Sequence, residues 1–87
     1  MKTTFHLHEM FCVKEKLMKF AKRLRELRKE QGETQVQVAK AIAMTVRQYQ
    51  GLEGGTSLPN FQNLWALADH FGVSLDYLAG RSDRRDV

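Results

Sequence analysis

The chain has 87 residues, a length that serves one domain and excludes two. With 43% hydrophobic and 28% charged residues it can form one small core, and it contains no run of about 18 apolar residues that would cross a membrane. The formal charge of +4, with a pI near 9.5, favours a polyanionic partner, and one cysteine, Cys12, excludes an intrachain disulfide framework. A lone thiol fits a reducing compartment and a cytoplasmic protein. Thr3, Thr4, His6, His8 and Glu9 interrupt any apolar stretch of the kind a secretory leader needs.

Residues 1–17 read as an N-terminal extension with two competing patterns. Phe5, Leu7, Phe11 and Val13 alternate with His6, His8, Met10 and Cys12, a period of two that indicates a strand. No other segment offers that strand a partner. Alternatively Met10, Val13, Leu17, Phe20 and Leu24 extend a helical stripe backwards, which gives a helix from about Glu9 after an irregular start. Translation beginning at Met18 is a third possibility. His6, His8 and Cys12 are metal-ligand types, but no fourth ligand stands at a fixed spacing, and neither metal nor cofactor is expected.

From Met18 to Gln31 the residues Phe20, Ala21, Leu24 and Leu27 predict an amphipathic helix, ended by Gly32. Thr34 is a candidate N-cap for a second helix from about Gln35 to Ile42, with Val38, Ala39 and Ile42 inward. After a turn at Ala43-Met44, Thr45 caps a third helix from Val46 to about Glu53, closed by Gly54-Gly55. Turn chemistry makes 54–59 a loop. Asn60 caps a fourth helix, Phe61 to Phe71, whose expected stripe is Phe61, Leu64, Trp65, Ala68 and Phe71. Ser74 caps a short fifth helix, Leu75 to Ala79, stopped by Gly80. The charged tail, 81–87, is expected to fray. The organisation is therefore an extension (1–17), a helical domain (18–80) and a tail.

Lys14, Lys16, Lys19, Lys22, Arg23, Arg25, Arg28 and Lys29 crowd the first helix, opposed by Glu15, Glu26 and Glu30. That run is either a nucleic-acid footprint or a solvated face laced with helical ion pairs, and it decides nothing alone. More informative is the tight turn between the second and third helices. Helices so joined cross steeply, which needs a small residue at the crossing, supplied by Ala39. Val38, Ile42, Met44, Tyr49 and Leu52 form the apolar wedge. At 100° per residue Thr45, Tyr49 and Leu52 point to the core, while Val46, Arg47, Gln50 and Gly51 point outward. The outward set suits base reading in a major groove: Arg47 for guanine, Gln50 for adenine, Val46 for a thymine methyl. There is no nucleophilic triad or phosphate-cradling glycine loop, and nothing argues for an enzyme.

Residues 18–82 resemble the phage-repressor-like helix-turn-helix family of the lambda-repressor and Cro type. The resemblance rests on Arg23-Leu24-Arg25-Glu26-Leu27-Arg28, Thr34-Gln35, Ala39, Leu52-Glu53-Gly54-Gly55, Pro59 and the run from Gly72 to Asp83. It implies an all-α, five-helix DNA-binding domain whose third helix is the recognition helix. It further implies that Gln35 bonds a DNA phosphate and braces that helix, that Thr45 meets phosphate at its N-terminus, and that Arg28 and Glu53 form a buried pair. Three positions depart from the pattern. Ala43 stands where glycine is usual, Gly51 fills a slot that often carries a contacting side chain, and the loop 54–59 has no basic residue. Phosphate contact is then expected from Gln48, Thr56, Ser57 and Asn60 as well. The expectation is a dimeric transcriptional regulator, a repressor on a pseudo-palindromic operator of double-stranded DNA. Its dimer surface would involve Trp65, Tyr77, Leu78 and the tail, with residues 1–17 as the rival. An antitoxin that neutralises a toxin through the N-terminal segment is the competing class.

Overall fold

The structure, a computed structural model, describes residues 2–86 and the side chains of residues 15–86. Five helices follow in order: α1 (Lys2–Glu30), α2 (Gln35–Ala41), α3 (Val46–Glu53), α4 (Phe61–Phe71) and α5 (Leu75–Ala79). The expected irregular start before Glu9 is instead helix, continuous from Lys2, and no strand occurs among the described residues. The physical reason is backbone satisfaction. A lone strand would leave its N–H and C=O groups without a ladder, whereas a helix pairs them within the segment. No described helix is long and apolar enough to cross a membrane.

Each later helix begins where a side chain accepts an orphan backbone N–H. Thr34 accepts from Gln37 at 3.1 Å, Thr45 from Gln48 at 3.1 Å, Asn60 from Asn63 at 2.8 Å and Ser74 from Tyr77 at 3.0 Å. In α2 and α3 the bond is reciprocated, because the Gln37 and Gln48 amides accept from the backbone N–H of Thr34 and Thr45. Helix α1 stops at Gly32, whose φ of +69° lets the chain turn back so that the Glu33 N–H reaches the Arg28 carbonyl at 3.1 Å.

The core gathers Phe20, Leu24 and Leu27 of α1, Val38 and Ala39 of α2, and Tyr49 and Leu52 of α3. Leu67, Ala68 and Phe71 of α4, Val73, and Tyr77 and Leu78 of α5 complete it. Helix α1 lies against α3 and α5, α2 against α3, and α4 against α5. The α4 stripe is therefore rotated from the expected one. Leu64, Leu67, Ala68 and Phe71 face inward, while Phe61 and Trp65 are 66% and 50% exposed. Tyr77 and Leu78, expected at a dimer surface, are core residues.

The tail does not fray over its described length. Arg23 donates to the carbonyls of Tyr77 and Ser82 and to the Asp83 carboxylate, the latter two at 2.6 Å. The Arg85 guanidinium grips Glu30 through two bonds of 2.8 Å, and its backbone carbonyl accepts from the Ser74 N–H. Burial of Tyr77 beneath these groups explains the order, since the Arg23 and Arg85 guanidinium carbons lie 4.1 and 5.2 Å from its ring centroid.

The α2–α3 turn puts Ala43 at φ +59°, the left-handed conformation that opposes a Cβ, while Met44 N–H closes the turn on the Ala39 carbonyl at 2.8 Å. A left-handed non-glycine residue costs about 1–2 kcal/mol. Ala43→Gly removes that strain but gains chain entropy when unfolded. We expect a net stabilisation of about 1 kcal/mol, read as a rise in Tm of about 4–8 °C in a thermal melt.

Candidate nucleic-acid interface

Helices α2 and α3 meet at Ala39, which is fully buried between Val38, Tyr49 and Leu52. A larger side chain at this crossing would force the two backbones apart. Tyr49, Leu52 and Glu53 occupy the inward face of α3, and Arg47, Gln48 and Gln50 its exposed face. Two sequence expectations change here. Thr45 does not point to the core; as N-cap it is exposed at the open end of α3. Val46 is only partly outward, because the steep crossing rests it against the core.

Glu53, 2% exposed, is the electrostatic centre of this region. Arg28 donates from Nε to Glu53 Oε2 at 2.6 Å and from Nη2 to Oε1 at 3.1 Å, a two-pronged pair. Gln35 Nε2 donates to the same Oε1 at 3.2 Å, and Arg25 Nη1 caps the Glu53 carbonyl at 2.6 Å. Burial alone would raise the Glu53 carboxyl, but the bonds from Arg28 and Gln35, with the nearby Tyr49 phenol, outweigh it and hold it below its ordinary 4.5. Glu53 in turn raises Arg28. The Tyr49 hydroxyl sits close by without a hydrogen-bond partner of good geometry, and burial pushes its ionisation well above the ordinary range.

The expected site residues divide into groups. Arg28, Glu53, Gln35 and Gln50 are joined in one network, since Gln50 Nε2 donates to Gln35 Oε1 at 3.2 Å. Arg47, Thr56 and Asn60 are exposed, although the Asn60 side chain is committed to its cap, as are Thr45 and the Gln48 amide. Gly51 is not an open slot. A Cβ there would stand 2.7 Å from Ser57 Oγ, and the Gly51 carbonyl accepts from the Thr56 and Ser57 N–H groups. The loop thus folds over that position, which requires glycine for close approach. His6, His8 and Cys12 lie outside the residues whose side chains are described.

Arg25 and the Gln35–Gln50 link escaped the sequence reading. Arg25 was legible in principle, because it stands one helical turn before Arg28 on the same face. The link was not, since it depends on the angle between two helices. The electrostatics of the face follow from its composition. Between Thr34 and Glu53 the cations are Lys40 and Arg47, and the one acid is buried and paired. An exposed helical face with cations, amides and no exposed carboxylate suits a polyanion.

A buried-based helix pair presenting such a face defines a helix-turn-helix DNA-binding domain. The chain belongs to the phage-repressor-like helix-turn-helix family of DNA-binding regulators; the family model described as Helix-turn-helix matches residues 24–78. It is 39% identical over 64 residues to the cryptic phage CTXphi transcriptional repressor RstR of Vibrio cholerae, covering 74% of this chain and 57% of that protein. It is 36% identical over 67 residues to the uncharacterized HTH-type transcriptional regulator YobD of Bacillus subtilis, covering 77% and 60%. The chain thus spans less than two thirds of the length of these relatives. No solved structure matches it.

Arg28→Ala strands a buried carboxylate. Because Arg28 keeps a 15% exposed side chain, the loss is set near the low end of the range for broken buried pairs, about 3 kcal/mol, and should appear as a drop in Tm of about 10 °C or more. The depressed Glu53 carboxyl also fixes the sign of a pH effect. Its stabilising share is complete above the ordinary value of 4.5 and is lost as pH falls through the lower folded-state value. Melts of Glu53→Gln should therefore start less stable at neutral pH and fall less steeply than the parent below about pH 4.5.

Proposed function

We propose that the chain binds double-stranded DNA sequence-specifically as a dimer and represses transcription by occupying a pseudo-palindromic operator. The observation that carries this is the exposure of Arg47 and Gln50 on a helix whose opposite face is locked by Tyr49, Leu52 and Glu53. Arg47 meets a guanine, Gln50 an adenine and the exposed edge of Val46 a thymine methyl. Gln35, Thr45, Gln48, Thr56 and Asn60 line the phosphate side, and Gly51 keeps the loop close enough for Thr56 to reach it. Repression is supported by the printed name of the phage relative.

A second copy is the partner that Phe61 and Trp65 fit. They form an edge-to-face pair with centroids 5.6 Å apart on the exposed side of α4. Beside Trp65 lies a concavity of about 380 Å³ lined by Ala68, Val73 and Leu75. A two-fold axis seats each Trp65 in the partner's concavity, a self-complementary contact. Recognition helices then fall about 34 Å apart, one turn of duplex.

Selection from random duplex DNA should enrich a palindromic motif, and Arg47→Ala and Gln50→Ala should each lose preference at one position per half-site, at about 1–3 kcal/mol. Absence of enrichment would refute the reading. Sedimentation of Trp65→Ala should show a weaker dimer than the parent, with an unchanged monomer melt. An unaffected dimer would move the interface away from α4.

A further inference from the structure

The direction of a side-chain amide in a hydrogen-bonded chain is ambiguous unless one end has a fixed role. Here Glu53 supplies that end. Its carboxylate can only accept, and it is held by Arg28 through Nε at 2.6 Å and Nη2 at 3.1 Å. Gln35 must therefore turn its NH2 group to Glu53 and its oxygen towards α3. Gln50 must then turn its own NH2 group towards Gln35 Oε1, the observed arrangement at 3.2 Å for both links. What remains on Gln50 is one carbonyl acceptor and one N–H, and among the described residues neither has a partner.

We propose that Gln35 is a specificity-determining residue of this interface: it fixes the Gln50 amide so that α3 accepts adenine and rejects guanine at the base Gln50 meets. The inference rests on the DNA-binding reading above and adds the basis of its purine choice. Adenine offers a donor at N6 and an acceptor at N7, which match one carbonyl and one N–H. Guanine offers two acceptors, O6 and N7, and needs two donors. A free glutamine can rotate its NH2 group to bridge both. The braced one has a single N–H left and would place its carbonyl against an acceptor. Gln35 acts here through Gln50, and so is a positioning residue, distinct from any phosphate contact of its own.

The test uses Gln35→Met, which keeps length and apolar bulk at the half-buried first position of α2 but removes both hydrogen bonds. Binding is measured to duplexes carrying adenine or guanine at the base pair whose preference Gln50→Ala abolishes. The parent should favour adenine by about tenfold or more, and the variant should lose most of that ratio while preferences elsewhere in the site persist. A uniform loss of affinity with the ratio intact would overturn the proposal and leave Gln35 a phosphate contact only. NMR of the free protein separates this from failure of DNA binding itself. The Gln50 NH2 proton pair should lie away from free-amide positions in the parent and return to them in Gln35→Met. A free-amide pair in the parent overturns the brace whatever the DNA result. A displaced pair in a parent that selects no motif overturns the DNA-binding reading, and this proposal with it.

Discussion

The pairing of Arg28 with Glu53 is the constraint on which the rest of the molecule depends. Helix α3 has eight residues, too short to hold its shape without tertiary support. Its last residue is a carboxylate that is 2% exposed, and a charge in that position is tolerable only when fully compensated. Two bonds from Arg28 and one from Gln35 supply the compensation. Arg25 secures the adjoining carbonyl. Helix α1 therefore fixes both the rotation of α3 about its axis and the position of its C-terminal end. Since Gln35 belongs to α2, the same carboxylate also sets α2 against α3.

That arrangement carries local costs, and they concentrate where the two short helices meet. Ala43 adopts a left-handed conformation at φ +59°, and the Tyr49 hydroxyl is buried without a well-formed partner. Both oppose stability, the first by backbone crowding and the second by lost hydration. They are offset by the apolar burial of Val38, Ala39, Tyr49 and Leu52 around the crossing. A departure from local preference at a functional element is what physical reasoning leads one to expect, because the element is held for its geometry.

A second fastening lies on the opposite side of α1. Arg23, buried against the Tyr77 ring, binds the end of α5 and the tail, while Arg85 returns from the tail to Glu30. The Arg85 bond draws the exposed Glu30 carboxyl below its ordinary value. Two arginines five residues apart on α1 thus organise different regions, Arg23 the C-terminal part and Arg28 the helix-turn-helix. With α5 and the tail closed in this way, Phe61 and Trp65 are left as the large exposed aromatics of α4. Their freedom follows from the packing of their neighbours.

Much of the architecture was written in local chemistry. Thr34, Thr45, Asn60 and Ser74 announced four helix starts because a short hydroxyl or amide side chain satisfies backbone donors wherever it precedes a helical run. The pattern Phe20, Ala21, Leu24, Leu27 identified the buried face of α1, and Arg47 and Gln50 stood on the outer face of α3 by simple angular spacing. Decisions between elements were not legible. Whether Trp65 or Leu67 enters the core depends on the angle at which α4 meets α5, and both lie on plausible apolar stripes. The covering of Gly51 by Ser57 and the bond between Gln35 and Gln50 depend on where a loop and a second helix pass. Caps and periodicity act over four residues or so and survive in one dimension. Contacts between residues fifteen or more positions apart exist only once the chain has closed on itself.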